Sequence, residues 1–190
     1  MNAFLVSTGL VALGEIGDKT QLLALMLAAR FKRPVPIVAG ILVATLSNHA
    51  LAAWIGSGVA QALGPVLLRW AIGVSFLALA AWLLVPDTAG DDAADAGRRR
   101  LGIFGTTVLA FFLAEMGDKT QIATVALAAR YPAALGAVVA GTTLGMMIAN
   151  VPVVLLGDRA ARALPLRLVH GIAAAIFALM GVAALAGVGG

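Results

Sequence analysis

Two short stretches of this 190-residue sequence hold nearly all the side chains that could do chemistry: Glu15-Ile-Gly-Asp18-Lys19-Thr20-Gln21 and Glu115-Met-Gly-Asp118-Lys119-Thr120-Gln121. Each sets two carboxylates, an ammonium, a hydroxyl and a carboxamide in an otherwise apolar run. On a continuous helix Glu15 and Asp18 are i, i+3 neighbours and share a face with the Gln21 amide one position further round, and Glu115, Asp118 and Gln121 repeat the arrangement. An all-oxygen ligand set suits hard divalent cations such as Ca²⁺, Mg²⁺ and Mn²⁺. The sequence has 0 Cys, which excludes thiolate metal sites, cysteine nucleophiles, iron–sulfur clusters and disulfides. Four carboxylates and two ammonium groups sum to −2 when all are ionised. One divalent cation neutralises that charge, and so do protons on two carboxylates. An empty, fully ionised site is costly to move across a bilayer, so these residues predict exchange of a divalent ion against protons.

The elements that must position these groups follow from composition. At 62% hydrophobic and 12% charged residues, the chain is far from the roughly 45–50% apolar and about 25% charged of a soluble domain. The net charge of +4 is then read as loop charge that sets orientation, and no nucleic-acid partner is expected. The first apolar stretch has no basic flank, is not followed by an A-x-A site and is longer than a signal h-region, so no cleaved leader is expected. A spanning helix needs about 20 mostly apolar residues. Six runs qualify, at about Ala3–Ala29, Pro34–Gly56, Pro65–Val85, Leu101–Ala129, Pro132–Leu156 and Leu166–Ala186. The expected fold is an all-α integral membrane protein of six transmembrane helices. Residues 1–86 and 101–190 form three-helix repeats, joined by a polar linker at 87–100 that holds four Asp and three Arg.

The halves are copies. At an offset of 100, Leu10–Arg30 and Ala110–Arg130 are identical at eleven of 21 positions, and at 101 Gly40, His49 and Gly56 fall on Gly141, Asn150 and Gly157. Three spans per unit make the repeats inverted, the plan of many secondary transporters. With alternating spans, one face carries Arg30, Lys32, Arg33, Arg98, Arg99, Arg100, Arg159, Arg162 and Arg167, and the other only Arg69 and Arg130. The first face is therefore cytoplasmic, with the linker, and both termini lie outside. From its helix start Glu15 is about 18 Å deep and Glu115 about 21 Å, so the motifs meet near the middle of a core about 30 Å thick. Gly17 and Gly117 allow close backbone approach and local unwinding, which would free carbonyls as further ligands. Asn48 and Asn150 are candidates to complete the cage, with a helix–helix hydrogen bond as the other reading. His49 and His170 read as packed or interfacial, Trp54, Trp70 and Trp82 as interface anchors, and Met26, Met116, Met146 and Met147 as packing rather than soft ligands.

Other readings of the motif exist. Glu15 and Lys19 at i, i+4 could form a structural ion pair, and Thr20 and Thr120 could bond back to their own helices. An intramembrane aspartyl protease also uses two membrane-buried Asp, in a Gly-x-Gly-Asp motif. Here Glu15 and Glu115 stand where that motif has its first glycine, and their charge disfavours a shared-proton dyad. A channel or uniporter would favour charge rings around a continuous pore, whereas duplicated acidic motifs suit alternating access.

The duplicated hexapeptides Glu-Ile-Gly-Asp-Lys-Thr at 15–20 and Glu-Met-Gly-Asp-Lys-Thr at 115–120, each in the first span of a three-span unit around an acidic linker, resemble the Gdt-type family of small membrane cation transporters. The resemblance extends over essentially the whole chain and is similar in plan to the calcium/cation exchanger superfamily. It implies Mn²⁺ or Ca²⁺ exchange for protons, manganese export from a bacterial cell, residence in the plasma (inner) membrane, and no enzymatic activity or resident cofactor. It also implies that Glu15, Asp18, Glu115 and Asp118 are cation ligands, supported by Gln21, Gln121, Thr20 and Thr120. Lys19, Lys119, Asn48 and Asn150 complete the candidate site, with roles for the lysines left open.

Overall fold

The computed structural model describes residues 2–85, 101–157 and 166–187. The linker 87–100 and the loop bearing Arg159 and Arg162 lie outside the described residues, so the expectations placed on them are not addressed there. All regular structure among the described residues is helical: α1 Ala3–Glu15, α2 Lys19–Phe31, α3 Pro34–Ala62, α4 Pro65–Leu83, α5 Gly102–Glu115, α6 Lys119–Arg130, α7 Leu135–Leu156 and α8 Leu166–Leu185. A 3₁₀ turn at Pro132–Ala134 leads into α7. Local chemistry sets several starts. The Asn2 side chain accepts a hydrogen bond from Phe4 N at 3.1 Å, and prolines open α3 and α4, where the missing N–H has no helical partner to lose.

Among the described residues, four apolar helices are long enough to cross a bilayer: Pro34–Ala62, Pro65–Leu83, Pro132–Leu156 and Arg167–Leu185. The 29 residues of α3, about 44 Å of helix, run past the expected end at Gly56 and exceed the hydrocarbon thickness, which a tilt accommodates.

The expected single helices over Ala3–Ala29 and Leu101–Ala129 are each two helices. Residues 16–18 and 116–118 leave the helical region: Ile16 and Met116 are extended, Gly17 and Gly117 sit at φ 84° and 73°, and Asp18 and Asp118 are extended again. A Cβ disfavours positive φ, so the motif glycines permit the reversal. Glu15 thus ends α1 and Asp18 opens α2. The shared helix face expected for Glu15, Asp18 and Gln21 is replaced by a kinked connection, and the same holds in the second half.

Packing interleaves the halves. α1 lies on α7 and α5 on α3, while α2 also meets α7, α6 meets α3, and α4 pairs with α8. Gly141 and Gly40 mark two of the close approaches between the halves. A Cβ on Gly141 would stand 2.6 Å from Phe4 O, and one on Gly40 would stand 2.7 Å from Thr107 Cβ. Two apolar cores result. One gathers Leu10, Phe76, Leu79, Leu127 and Phe177, with the Phe76 and Phe177 rings 5.8 Å apart. The other gathers Leu23, Leu27, Ile37, Ile41 and Phe111. The two breaks meet between them.

Candidate metal centre

The sequence puts a Gln three residues after each Asp, and in the structure that Gln holds the break. Gln21 Oε1 accepts from Gly17 N at 2.9 Å, and Gln121 Oε1 accepts from Gly117 N at 2.7 Å. This is capping-box geometry moved back one residue. Each Gln also ties the break to the opposite half: Gln21 Nε2 donates to Ala149 O at 3.0 Å, and Gln121 Nε2 donates to Asn48 Oδ1. Asn48 Nδ2 in turn donates to Phe112 O at 3.4 Å. His170 Nε2 lies against Ile16 O, so α8 closes over one of the carbonyls the break exposes.

Although Asp18 and Asp118 occupy N-cap positions, neither makes a capping hydrogen bond. Their carboxylates face lysines of the other motif, Lys19 Nζ lying 2.9 Å from Asp118 Oδ1 and Lys119 Nζ 3.9 Å from Asp18 Oδ1. These pairs cross between the repeats, so Lys19 pairs with Asp118 and not with Glu15 one turn before it. The lysines are not equivalent. Lys19 is 31% exposed, whereas Lys119 is buried, 3.4 Å from Val85 O and 5.9 Å from the centre of the Trp82 ring. Trp82, expected as an interface anchor, therefore also flanks this lysine.

Glu15, Glu115 and Asp118 converge. Each offers an oxygen within 4.8 Å of the others, and all three are buried. The motif threonines orient the glutamates: Thr20 Oγ1 donates to Glu15 Oε2 at 2.6 Å and Thr120 Oγ1 to Glu115 Oε2 at 3.1 Å. Glu15 Oε1, Glu115 Oε1 and Asp118 Oδ2 accept no hydrogen bond and are shielded from solvent. Buried oxygens without donors are costly unless something positive meets them. Oxygens on opposite sides of a cation with ligand distances of about 2.3–2.6 Å stand about 5 Å apart, so the cluster has the dimensions of one divalent ion site.

Asn150 Nδ2 donates to Met146 O at 3.1 Å and contacts Met146 Sδ at 2.9 Å, leaving its buried Oδ1 without a donor. His49 is buried with no hydrogen bond at either ring nitrogen. Met26 and Met116, expected as packing residues, are exposed. Spacing gave no hint of the Val85 carbonyl, Trp82 and His170, because their relation to the motifs is purely tertiary.

Apolar helices of spanning length around a buried, duplicated acidic motif define an integral membrane protein with a carboxylate cluster that could hold a metal ion. The family model "Divalent cation/proton antiporter GDT1" matches residues 3–91 and again 103–188, and the chain belongs to that family. It is 51% identical over 183 residues to a Vibrio cholerae protein named "Putative manganese exporter", an alignment covering 96% of this chain and 90% of that protein. A GDT1-like protein of Synechocystis is 32% identical over 179 residues, covering 83% of this chain and 84% of the other. No solved structure matches. Membership places the chain among divalent cation transporters.

Proposed function

We propose that this protein exports Mn²⁺, with Ca²⁺ as a second substrate, in exchange for protons. Glu15, Asp18, Glu115 and Asp118 are the ligands, positioned by Gln21, Gln121, Thr20, Thr120, Asn48 and Asn150. The observation that carries this is the buried meeting of Glu15, Glu115 and Asp118 at two helix breaks, with one oxygen of each accepting no hydrogen bond. The family description and the name of the Vibrio relative support the proton coupling and the metal. The breaks belong to two inverted three-span repeats, 1–86 and 101–190, in which α1 with α2 and α5 with α6 each make one interrupted span. The exchange of packing partners, α1 on α7 and α5 on α3, supports that symmetry. Alternating access then rocks the repeats about the shared site, with the termini outside and the 87–100 linker in the cytoplasm. In the plasma membrane, an inward proton gradient drives the metal out. Lys19 and Lys119 are resident counter-charges that hold the opposite aspartates until metal arrives.

The test is proton movement driven by Mn²⁺, Ca²⁺ or Mg²⁺ in proteoliposomes, with Asp18→Asn/Asp118→Asn as the control. Proton flux that the variant lacks supports exchange and ranks the ions. Metal crossing without protons makes the protein a uniporter or channel, and no crossing of either makes the carboxylates structural.

A further inference from the structure

α3 buries two polar side chains that the acidic site does not use. His49 lies about 22 Å along the roughly 44 Å of this helix, close to its middle. His49 and Thr45, one turn before it on the same face, are both 0% exposed. Neither ring nitrogen of His49 has a hydrogen-bond partner, and neither does Thr45 Oγ1. Hydroxyls elsewhere in these helices bond back to their own turn, as Ser47 Oγ does to Val43 O and Thr107 Oγ1 to Ile103 O, both at 2.8 Å. Thr45 forgoes even this. A neutral imidazole carries one donor and one acceptor, and each costs about 1–3 kcal/mol when buried unmet. The buried hydroxyls of Ser7 and Thr143 are also unmet, but they stand singly on α1 and α7. At Thr45 and His49 three unmet atoms share one helix face.

That face leads from the level of the carboxylates toward the junction of α2 and α3. Asn48, next to His49, accepts from Gln121, which holds the second break. At an offset of 101 His49 falls on Asn150, whose buried Oδ1 is also unmet and which follows Ala149, the acceptor for Gln21. α3 and α5 run side by side toward the site, with Gly40 against Thr107 and Asn48 against Phe112. Ile37 and Ile41, further from the site than Thr45, are packed with Leu23, Leu27 and Phe111 in an apolar core. This core fills the space between Thr45 and the α2–α3 junction, and Glu15, Glu115 and Asp118 stay buried behind it. Unmet polar groups behind an apolar plug match an ion path that is shut in this conformation and hydrated when the plug parts. We propose that Thr45 and His49 line the path by which the divalent cation passes between the carboxylate cluster and the α2–α3 junction, with Leu27, Ile41 and Phe111 as its gate. The hydroxyl and the imidazole replace part of the ion's hydration shell as it passes. In the proposed topology this is the cytoplasmic entry. The inference rests on the transporter reading and adds the route by which its site is reached.

The chain has 0 Cys, so one introduced cysteine is its only thiol. The full chain carrying Thr45→Cys, His49→Cys, Ala44→Cys or Val43→Cys is reconstituted in proteoliposomes and treated on both faces with a small, positively charged, water-soluble methanethiosulfonate. Ala44 is 0% exposed within the apolar core, and Val43 is 42% exposed on the outside of the bundle. Thr45→Cys and His49→Cys are expected to react about tenfold or more faster than the other two, because a thiol reacts where water reaches it. Their modification is expected to stop Mn²⁺-driven proton flux, while wild type keeps its flux in the reagent. Thr45→Cys changes side-chain size little, and size exclusion reports the folding of each variant, so Thr45→Cys decides the matter if His49→Cys does not fold. Labelling of Thr45→Cys and His49→Cys no faster than of Ala44→Cys or Val43→Cys, in vesicles whose wild type exchanges, overturns the path and leaves the transporter reading standing. Fast labelling with undiminished flux overturns the path as well. Absence of metal-driven flux in wild type overturns the transporter reading, and the path with it, whatever the labelling.

Discussion

Replacing Lys19 by Met should tighten metal binding, although it removes a residue of the site itself. Lys19 Nζ lies 2.9 Å from Asp118 Oδ1 and Lys119 Nζ 3.9 Å from Asp18 Oδ1. At an effective dielectric of about 20 these separations correspond to roughly 6 and roughly 4 kcal/mol of gross attraction. Desolvation, side-chain entropy and screening at the 31% exposed Lys19 remove most of this, leaving the roughly 1.5–3 kcal/mol typical of a hydrogen bond to a charged group. A divalent ion that ligates Asp118 through its free Oδ2 competes with the ammonium on Oδ1 for the charge of the same carboxylate, so this energy opposes binding. Lys19→Met is therefore expected to lower the Kd for Mn²⁺ about 10- to 100-fold, with a smaller gain in Lys119→Met because its pair is longer. Exchange should slow in both, since the empty site then needs another proton to reach neutrality. Lys19→Arg keeps the charge and should stay near wild type. Equilibrium binding of radioactive Mn²⁺ to purified protein at fixed pH measures the affinity, and proteoliposome proton flux measures the exchange. A folded Lys19→Met protein that binds Mn²⁺ no better than wild type, or less well, refutes the counter-charge role and makes Lys19 a support of the ligand set.

Four further outcomes are expected. Gly117→Ala forces a Cβ onto a residue at φ 73° and should cost about 1–2 kcal/mol, with transport lost before folding; a melting temperature unchanged alongside full exchange would argue against the strained break. Gln121→Leu removes acceptance from Gly117 N and the donation to Asn48 Oδ1; it should reduce exchange strongly while proton-independent folding survives, as read by size-exclusion and flux together. Gly141→Ala brings a methyl 2.6 Å from Phe4 O, and the overpacking should destabilise by about 1–3 kcal/mol, visible in thermal unfolding as loss of the α1–α7 contact. Carboxylates ligate only when ionised, so Mn²⁺ affinity should fall as pH falls, log Kd changing by up to about two per pH unit if two protons replace one ion; a Kd independent of pH would refute proton competition at the site.

Composition and pattern were enough to reveal an apolar helical chain, its duplication and the acidic hexapeptides, because hydrophobic periodicity and identity at a fixed offset are local properties. The prolines at 34, 65 and 132 and the run lengths placed most helix boundaries within a few residues. The sequence also raised the possibility of unwinding at Gly17 and Gly117, but a glycine in an apolar run is equally compatible with close helix packing, as at Gly141. The choice between the two depends on partners 128 and 73 residues away, the Ala149 carbonyl that accepts from Gln21 and the Asn48 side chain that accepts from Gln121. For the same reason the sequence suggested Lys19 as a partner of Glu15 one turn away, whereas the break turns it to Asp118 of the other half. Residue types and spacing determined which chemistry is available. Which oxygens share a site, which are held by threonine, and which cation waits beside them were decided by the packing of one half against the other, because those relations arise only when two distant breaks occupy the same buried space.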